Sequence, residues 1–298
     1  MAHNNAARPE ASRITWLVSY PKSGNTWTRV FLSNYLGDGI CDSDINELEV
    51  GAHASSRLMF DRAAGIASAW LLPEEIRELR PKVFRQVAAT SGRALFLKVH
   101  DAWARTSRGE PLFPACVTRA AVYIVRNPLD VAASARHHWG IPAQDAVAQL
   151  CQSTFTLAAS RNGIPGMQLL QQVGDWSSHV RSWLHDSGLP VHVMRYEDML
   201  ADPHSSFGRM LRAAGIAVEP ARLEQAVAAA SFCKLQQQEA RIGFRERRTC
   251  ASAPFFRQGA AGGWRTELTQ ELVRQIIDTH ADVMMELGYL DDARRPAY

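Results

Sequence analysis

Residues 14–36, ITWLVSYPKSGNTWTRVFLSNYL, constrain the fold of this chain more than any other stretch. Ile14, Trp16, Leu17 and Val18 form a short apolar run that stops at Tyr20-Pro21, and a run of that kind bounded by turn residues reads as a buried strand. From Trp27 onward the apolar side chains Trp27, Val30, Phe31, Tyr35 and Leu36 recur at helical spacing, which starts a helix near Asn25 or Thr26. Between them lies Pro21-Lys22-Ser23-Gly24-Asn25-Thr26. A strand, a tight glycine-containing loop and a helix N-terminus form the geometry that binds phosphate. The loop N–H groups and the unsatisfied donors of the first helical turn converge there on one anion. Lys22 adds a positive charge, and Ser23, Asn25 and Thr26 add short polar groups. The pattern G-x-x-x-x-G-K-[ST] is not met, because the lysine precedes a single glycine. An ordinary turn with a solvated lysine is the competing reading.

The rest of the chain repeats the alternation. Ala94–Val99 is a second apolar run, delivering Lys98 and His100 at its carboxyl end. Ala120–Val125 is a third, ending at Arg126-Asn127-Pro128 and followed by a helix with Asp130 in its first turn and Ser134 about two turns in. Val191–Met194 is a fourth, leading into Arg195-Tyr196-Glu197-Asp198. Helices are expected from Pro73 to about Leu79, from Val83 to Ala89 after Pro81, over 143–159, from Asp175-Trp176, over 203–214 and 221–230, and from Thr269 to Leu287. Residues 37–70 read as loops and short helices. Strands alternating with helices predict an α/β fold, one domain over 14–298 with a central parallel sheet flanked by helices and a P-loop-like phosphate-binding loop. Open sheets of this kind bind ligands outside the carboxyl ends of their strands.

Composition narrows the function classes. With 46% hydrophobic and 21% charged residues the 298-residue chain can bury a sizeable core. A formal charge of +3 is too small to point to nucleic acid or a membrane surface, so anion binding has to be local. Cys41, Cys116, Cys151, Cys233 and Cys250 are widely spaced with no CxxC, which argues against a zinc site or a disulfide framework and for reduced thiols. Residues 1–13 read as a flexible tail without the apolar core of a signal peptide, and no segment approaches the ~18 apolar residues of a membrane span. A soluble, cytoplasmic protein is expected.

Tyr20-Pro21-Lys22-Ser23-Gly24-Asn25-Thr26-Trp27 resembles the 5′-phosphosulfate loop Y-P-K-S-G-T-T-W of the cytosolic sulfotransferase family, whose members use 3′-phosphoadenosine 5′-phosphosulfate (PAPS) as donor. Asn25 stands where the family has Thr. Lys98-Val99-His100 is similar to the family's K-T-H, and Arg126-Asn127-Pro128-x-Asp130-Val131 with Ser134 is similar to its 3′-phosphate element. Trp176, His179, Val180 and Trp183, leading to Tyr196-Glu197-Asp198-Met199, continue the likeness. Phe256-Arg257-Gln258-Gly259 through Gly262-Gly263-Trp264-Arg265 resembles R-K-G-x-x-G-D-W-K, with Gln258 for Lys and Gly263 for Asp. The stretches SYPKSGN, RNPLD and GDW…RSW are closest in character to bacterial members that modify natural products.

The resemblance implies a sulfotransferase acting on a hydroxyl of a small-molecule acceptor, with PAP as product and no metal. It implies that Lys22 serves the phosphosulfate, with Ser23, Gly24, Asn25 and Thr26 around it, and that Trp27 stacks on adenine. His100 would be the general base, assisted by Lys98. Arg126, Ser134, Arg257, Gln258 and Gly259 would hold the 3′-phosphate, and Tyr196, Ser231 and Phe232 would approach the base. His137, His138 and Trp139 could line an acceptor pocket or cap the negative end of the helix, and the basic stretch Arg241–Arg248 reads as a solvated loop or a lid. The family's dimer motif is degenerate near Arg265–Arg274, leaving monomer and homodimer both open. A P-loop kinase, which needs Mg²⁺, and a nucleotide sensor without transfer activity are the rival readings.

Overall fold

The computed structural model describes residues 13–37, 43–48, 50–159 and 166–297. The expected tail, Cys41 and most of the break at Asn162–Pro165 lie outside the described residues. The first apolar run is β1 (Ile14–Ser19), every residue of which is buried. It is followed by α1 (Asn25–Leu36), a two-residue strand β2 (Ala52–His53), α2 (Arg57–Ala64), α3 (Pro73–Ser91) and β3 (Leu95–Val99). Next come β4 (Thr118–Val125), α4 (Pro128–Trp139), α5 (Ala143–Leu150), the short strands β5 (Thr156–Leu157) and β6 (Gln171–Gln172), α6 (Trp176–Arg181) and β7 (Val191–Arg195). The chain closes with α7 (Tyr196–Ala201), α8 (Pro203–Ala213), α9 (Pro220–Ala229), α10 (Phe232–Ile242) and α11 (Gln270–Glu286).

Five strands form one sheet in the order β2-β3-β1-β4-β7, and every pairing is parallel. The strand period of two sorts side chains to opposite faces. On one face Trp16, Val18, Tyr123 and Val125 pack with Phe84, Phe113, Trp176, Trp183 and residues of α11 such as Ile276 and Met284. On the other, Leu17, Val122 and Ile124 pack with Phe31 of α1 and with Met210 and Leu211 of α8. Phe31 stacks on Phe207 of α8 with centroids 4.0 Å apart. Because β1 is covered on both faces, its sequence is a continuous apolar run. The register Val18↔Val99 and Ser19↔Ile124 brings the carboxyl ends of β1, β3 and β4 to one edge.

Several local expectations are corrected. The two helices expected around Pro81 are one, α3, with Pro81 in its interior. Proline there removes one N–H donor, but Arg80 beside it is buried and donates from its two terminal guanidinium nitrogens to the Asp101 carboxylate at 2.9 Å. Val83 and Phe84 are buried in the next turn. Tertiary anchoring on both sides of the proline keeps the helix continuous. The helix expected over 143–159 stops at Leu150, because the Phe155 carbonyl accepts from the N–H groups of Val173 and Gly174 and Thr156–Leu157 pairs with β6. The helix end expected at Ser231-Phe232 is the start of α10, since Ser231 adopts an extended conformation between α9 and α10. The sheet has five strands where four were expected, β2 being too short to read from its pattern. Among the described residues no helix is long and apolar enough to cross a membrane.

Removing one partner of a buried ion pair strands the other, at a cost of about 3–5 kcal/mol. Arg80→Ala is therefore expected to lower stability by about that amount in denaturant unfolding. A change below about 0.5 kcal/mol, the range of an ordinary surface substitution, would show that the pair does not hold α3 to the sheet edge.

Candidate active site

The loop between β1 and α1 turns sharply by two left-handed residues, Lys22 at φ 70° and Gly24 at φ 106°. A Cβ on Gly24 would lie 2.7 Å from Cδ2 of Tyr196, so the ring and the loop backbone approach too closely for any side chain there. Gly24 also precedes α1 as its N-cap, with no side-chain cap and no acid in the first turn, leaving the helix donors available to an anion. Ser23 Oγ is buried without a partner. The half-buried Lys22 ammonium lies 3.7 Å from the ring centroid of Phe255 and makes no ion pair among the described residues. Burial, reinforced by Arg126 and Lys98, lowers its pKa to about 7. A second anion-seeking group is Arg126 at the end of β4. Its Nη1 and Nη2 donate to the carbonyls of Lys22 (3.3 Å) and Ala260 (3.0 Å), while Nε is buried without a partner. The guanidinium lies 4.4 Å from the Tyr196 ring centroid.

His100 follows β3 directly, and its Nδ1 lies 2.7 Å from the Ser19 carbonyl oxygen. A carbonyl can only accept, so Nδ1 carries the proton and Nε2 is left with a free lone pair. Burial, with help from the Lys98 charge, holds the His100 pKa well below its ordinary 6.5 despite that hydrogen bond. The ring is neutral and able to accept a proton at neutral pH. Lys98, two residues earlier and on β3 itself, donates to Glu246 Oε2 at 3.0 Å. The same carboxylate bonds Arg29 of α1 and approaches His53 Nε2 at 3.7 Å. Burial alone would raise the Glu246 pKa, but Lys98, the His53 hydrogen bond and Arg29 outweigh it and keep the carboxylate ionised. Glu246 was not singled out from the sequence. Its only signal was to be the lone acid within the RIGFRERR run.

The glycine loop after α10 is tied to α4 by Asp130, whose two carboxylate oxygens accept from the N–H groups of Gly262 (2.8 Å) and Trp264 (3.1 Å). Gly259, at φ 59°, packs so closely on Phe232 that a Cβ would lie 2.3 Å from its ring. Arg257 is paired with Glu267 at 2.6 Å, and His137 Nε2 lies 2.7 Å from the other oxygen of that carboxylate. Gln258 and Gly263, the two departures from the family pattern, adjoin each other. A Cβ at 263 would lie 2.6 Å from Gln258 Oε1.

These elements enclose a cavity of about 550 Å³. Of the residues expected at a site, Lys22, Gly24, Asn25, Thr26, Trp27, Lys98, His100, Arg126, Ser134, Tyr196, Phe232, Arg257, Gln258 and Gly259 line it. Ser23 and Ser231 do not. Ser23 lies beneath the loop, and Ser231 serves as the junction of α9 and α10. The side chain of Asn25 turns away from an anion position toward β1, where Nδ2 donates to Leu17 O at 2.9 Å and Ser19 Oγ at 3.2 Å. Trp27 is held edge-on by Tyr196 and Phe207. His138 and Trp139 line the cavity and His137 does not. The basic stretch lies over the opening: Arg245, Glu246 and Arg248 line it, and Glu239 of α10 fixes the base of this segment by accepting from the N–H groups of Phe255 and Phe256. Among the described residues no three His, Cys, Asp or Glu side chains cluster to hold a metal ion.

The model of the sulfotransferase domain matches residues 13–288. The chain belongs to the sulfotransferase family. It is 27% identical over 208 residues to nodulation protein NoeE of Sinorhizobium fredii, covering 68% of this chain and 46% of that protein. It is 25% identical over 153 residues to sulfotransferase 2A6 of Rattus norvegicus, half of each chain. The chain thus matches about half the length of these curated relatives. The solved structure of mouse sulfotransferase SULT7A1 complexed with PAP superposes with a TM-score of 0.59 at 20% identity, covering 92% of this chain and 84% of that one. Retinol dehydratase in complex with androsterone and inactive cofactor PAP gives 0.60 at 19% identity, with 97% and 84% covered. Both share the fold.

A lysine with a pKa of about 7 in the free site regains its full charge when an anion settles on it. Binding of 3′,5′-bisphosphoadenosine above about pH 7 should therefore take up protons, and affinity should fall as pH rises past that value. Calorimetry in buffers of different ionisation enthalpy measures the uptake. A heat of binding independent of buffer would remove Lys22 from the anion contact.

Proposed function

We propose that this chain is a PAPS-dependent sulfotransferase that moves a sulfuryl group to the hydroxyl of a small-molecule acceptor. The observation that carries the reading is the meeting, in one cavity, of the Lys22–Thr26 anion cradle and a neutral His100 whose Nε2 is free. The cradle has what an anionic donor requires: open helix donors at α1, an unpaired ammonium, and Arg126 with a buried donor unsatisfied. The cavity wall also offers Trp27, Tyr196 and Phe232 as apolar surface for an adenine, in keeping with the PAP held by the two structures that share the fold.

The chemistry is a displacement at sulfur. The acceptor oxygen forms a new O–S bond, the bond between sulfur and the 5′-phosphate oxygen breaks, and the hydroxyl proton passes to His100 Nε2. Lys22 and the first N–H groups of α1 stabilise the charge that grows on the leaving phosphate oxygen. Lys98 lies two residues before His100, its charge balanced in the free site by Glu246. The Ser19 carbonyl fixes the tautomer throughout, so the proton taken up at Nε2 produces an imidazolium held by a hydrogen bond to that carbonyl. Arg126, Ser134, Arg257, Gln258 and Gly259 hold the 3′-phosphate end of the donor in this reading. The acceptor lies on the side of His53, Gln168 and Trp139, where a polar network joins Gln168 to His53 Nδ1 at 3.1 Å and to Gln171 at 2.9 Å.

Removing a general base costs about 10²- to 10⁴-fold in rate. His100→Ala is expected to lose that much transfer from PAPS while still binding 3′,5′-bisphosphoadenosine. An undiminished rate would take the base role away. Because the neutral imidazole is the active form and its pKa is depressed, the acidic limb of kcat/KM should fall below pH 6.5. A limb at or above 6.5 would contradict the buried, lysine-flanked environment.

Calorimetric titration decides the nucleotide. Metal-independent preference for 3′,5′-bisphosphoadenosine over 5′-AMP and ATP is the expected result. A preference for Mg-ATP would replace the sulfuryl donor with a phosphoryl donor.

A further inference from the structure

The 3′-phosphate end of the proposed donor site is short of free positive charge. Gln258 is uncharged where the family pattern has a lysine. Arg257 is ion-paired with Glu267, a carboxylate that His137 also contacts, and each terminal nitrogen of Arg126 already gives one hydrogen bond to a backbone carbonyl. A doubly charged phosphate bound there needs a further donor.

The segment over the cavity supplies one. A small recess shares Lys22, Ser134, His138, Phe255 and Arg257 with the main cavity and adds Arg247 to its wall. The backbone around Arg247 is fixed. Its N–H donates to Phe244 O at 3.0 Å, Ala251 N–H donates to Arg248 O at 3.0 Å, and Ser252 N–H donates to His137 O at 3.0 Å. The chain also lies flush on the end of α4, since a Cβ on Gly140 would be 2.0 Å from the Cys250 carbonyl oxygen. These contacts pin the segment to the last turn of α4, one turn beyond Ser134. The Arg247 side chain is exposed and makes no ion pair or side-chain hydrogen bond among the described residues. It is a cation at the recess with no acid of its own.

We propose that Arg247 is a 3′-phosphate ligand that supplies, from the covering segment, the positive charge absent at Gln258. The inference rests on the PAPS reading of the cavity. It makes the covering segment part of the donor site, the planar fork of the guanidinium presenting paired N–H donors to the phosphate oxygens. It also accounts for an arginine-rich segment whose acid, Glu246, is engaged elsewhere with Lys98 and Arg29.

The experiment compares binding of 3′,5′-bisphosphoadenosine and 5′-AMP to the full chain and to three variants. Arg247→Ala should lower the preference for the bisphosphate on the order of tenfold, with 5′-AMP affinity nearly unchanged. Gln258→Lys placed in the Arg247→Ala background should restore most of the preference by returning the charge from the other side. Arg241→Ala, which removes an exposed arginine bordering neither cavity nor recess, should behave as the parent. If the parent discriminates and Arg247→Ala discriminates equally well, Arg247 is not a phosphate ligand. Equal loss for both nucleotides would assign it a structural role and also overturn the inference. A parent protein with no preference for the bisphosphate overturns the donor reading, and this inference with it.

Discussion

Everything in the cavity depends on β1 being gripped between β3 and β4 in parallel register. Parallel neighbours end at the same edge, so the residues just past three strands arrive at one place: Lys22 after β1, His100 after β3, Arg126 after β4. The apolar faces that hold β1 are complete, with Trp16 and Val18 in one layer and Leu17 in the other, all fully buried. Such a strand cannot slip by one residue without exchanging its layers. The hydrogen bond from His100 to the Ser19 carbonyl is a direct reading of that register, because it joins the first residue past β3 to the last residue of β1.

Charge is the second organising constraint. Lys22, Lys98, Arg29 and Arg126 crowd around a cavity whose walls, among the described residues, carry one acid, Glu246. Like charges in a half-buried space are unfavourable until an anion arrives, and Lys22 shows this in its lowered pKa. The free site relieves part of the repulsion with its own carboxylate, offered by the covering segment. The free energy held in that repulsion is available to an anionic ligand. The same segment links the strand ends of the cavity, since Glu246 touches Lys98 and His53 while Phe255 packs on Lys22.

The glycines that matter act through close approach. Gly24 lets Tyr196 lie against the loop backbone, and Gly259 does the same for Phe232. Both aromatic rings then form walls of the cavity that the two loops border, so loop geometry and the apolar surface of the site are set by the same contacts. Asp130 performs the corresponding task for the second loop through two backbone N–H groups, which ties the loop's position to the helix that carries Ser134.

Much of this was legible in the residues themselves. The strand–loop–helix at 14–36, the runs at 94–100 and 120–125, and the glycine loop at 256–265 have strong local signals: apolar continuity, a turn, and an N-terminus free of acids. Those signals are local, and the structure returned them nearly unchanged. The sequence misled where distant contacts outweighed local preference. Pro81 did not break α3, because Arg80 and Asp101 anchor its flank, and 151–159 left the helix because Phe155 bonds to Val173 and Gly174. Asn25 looked like an anion ligand by position, yet its amide nitrogen turned to Leu17 and Ser19. Glu246 and Arg247 stood in the sequence only as members of a basic run, since Glu246 meets Lys98 and Arg29, and Arg247 meets the recess beside Ser134, across more than a hundred residues of chain. The amino-acid sequence by itself determined the α/β alternation, the glycine-containing loop between β1 and α1 and the residues at the strand ends. Only the tertiary structure decided which of those side chains face the cavity, which cations are already paired and what covers the opening. Strand and turn propensities act over a few residues, whereas the pairing of charges is fixed only when the whole chain has closed on itself.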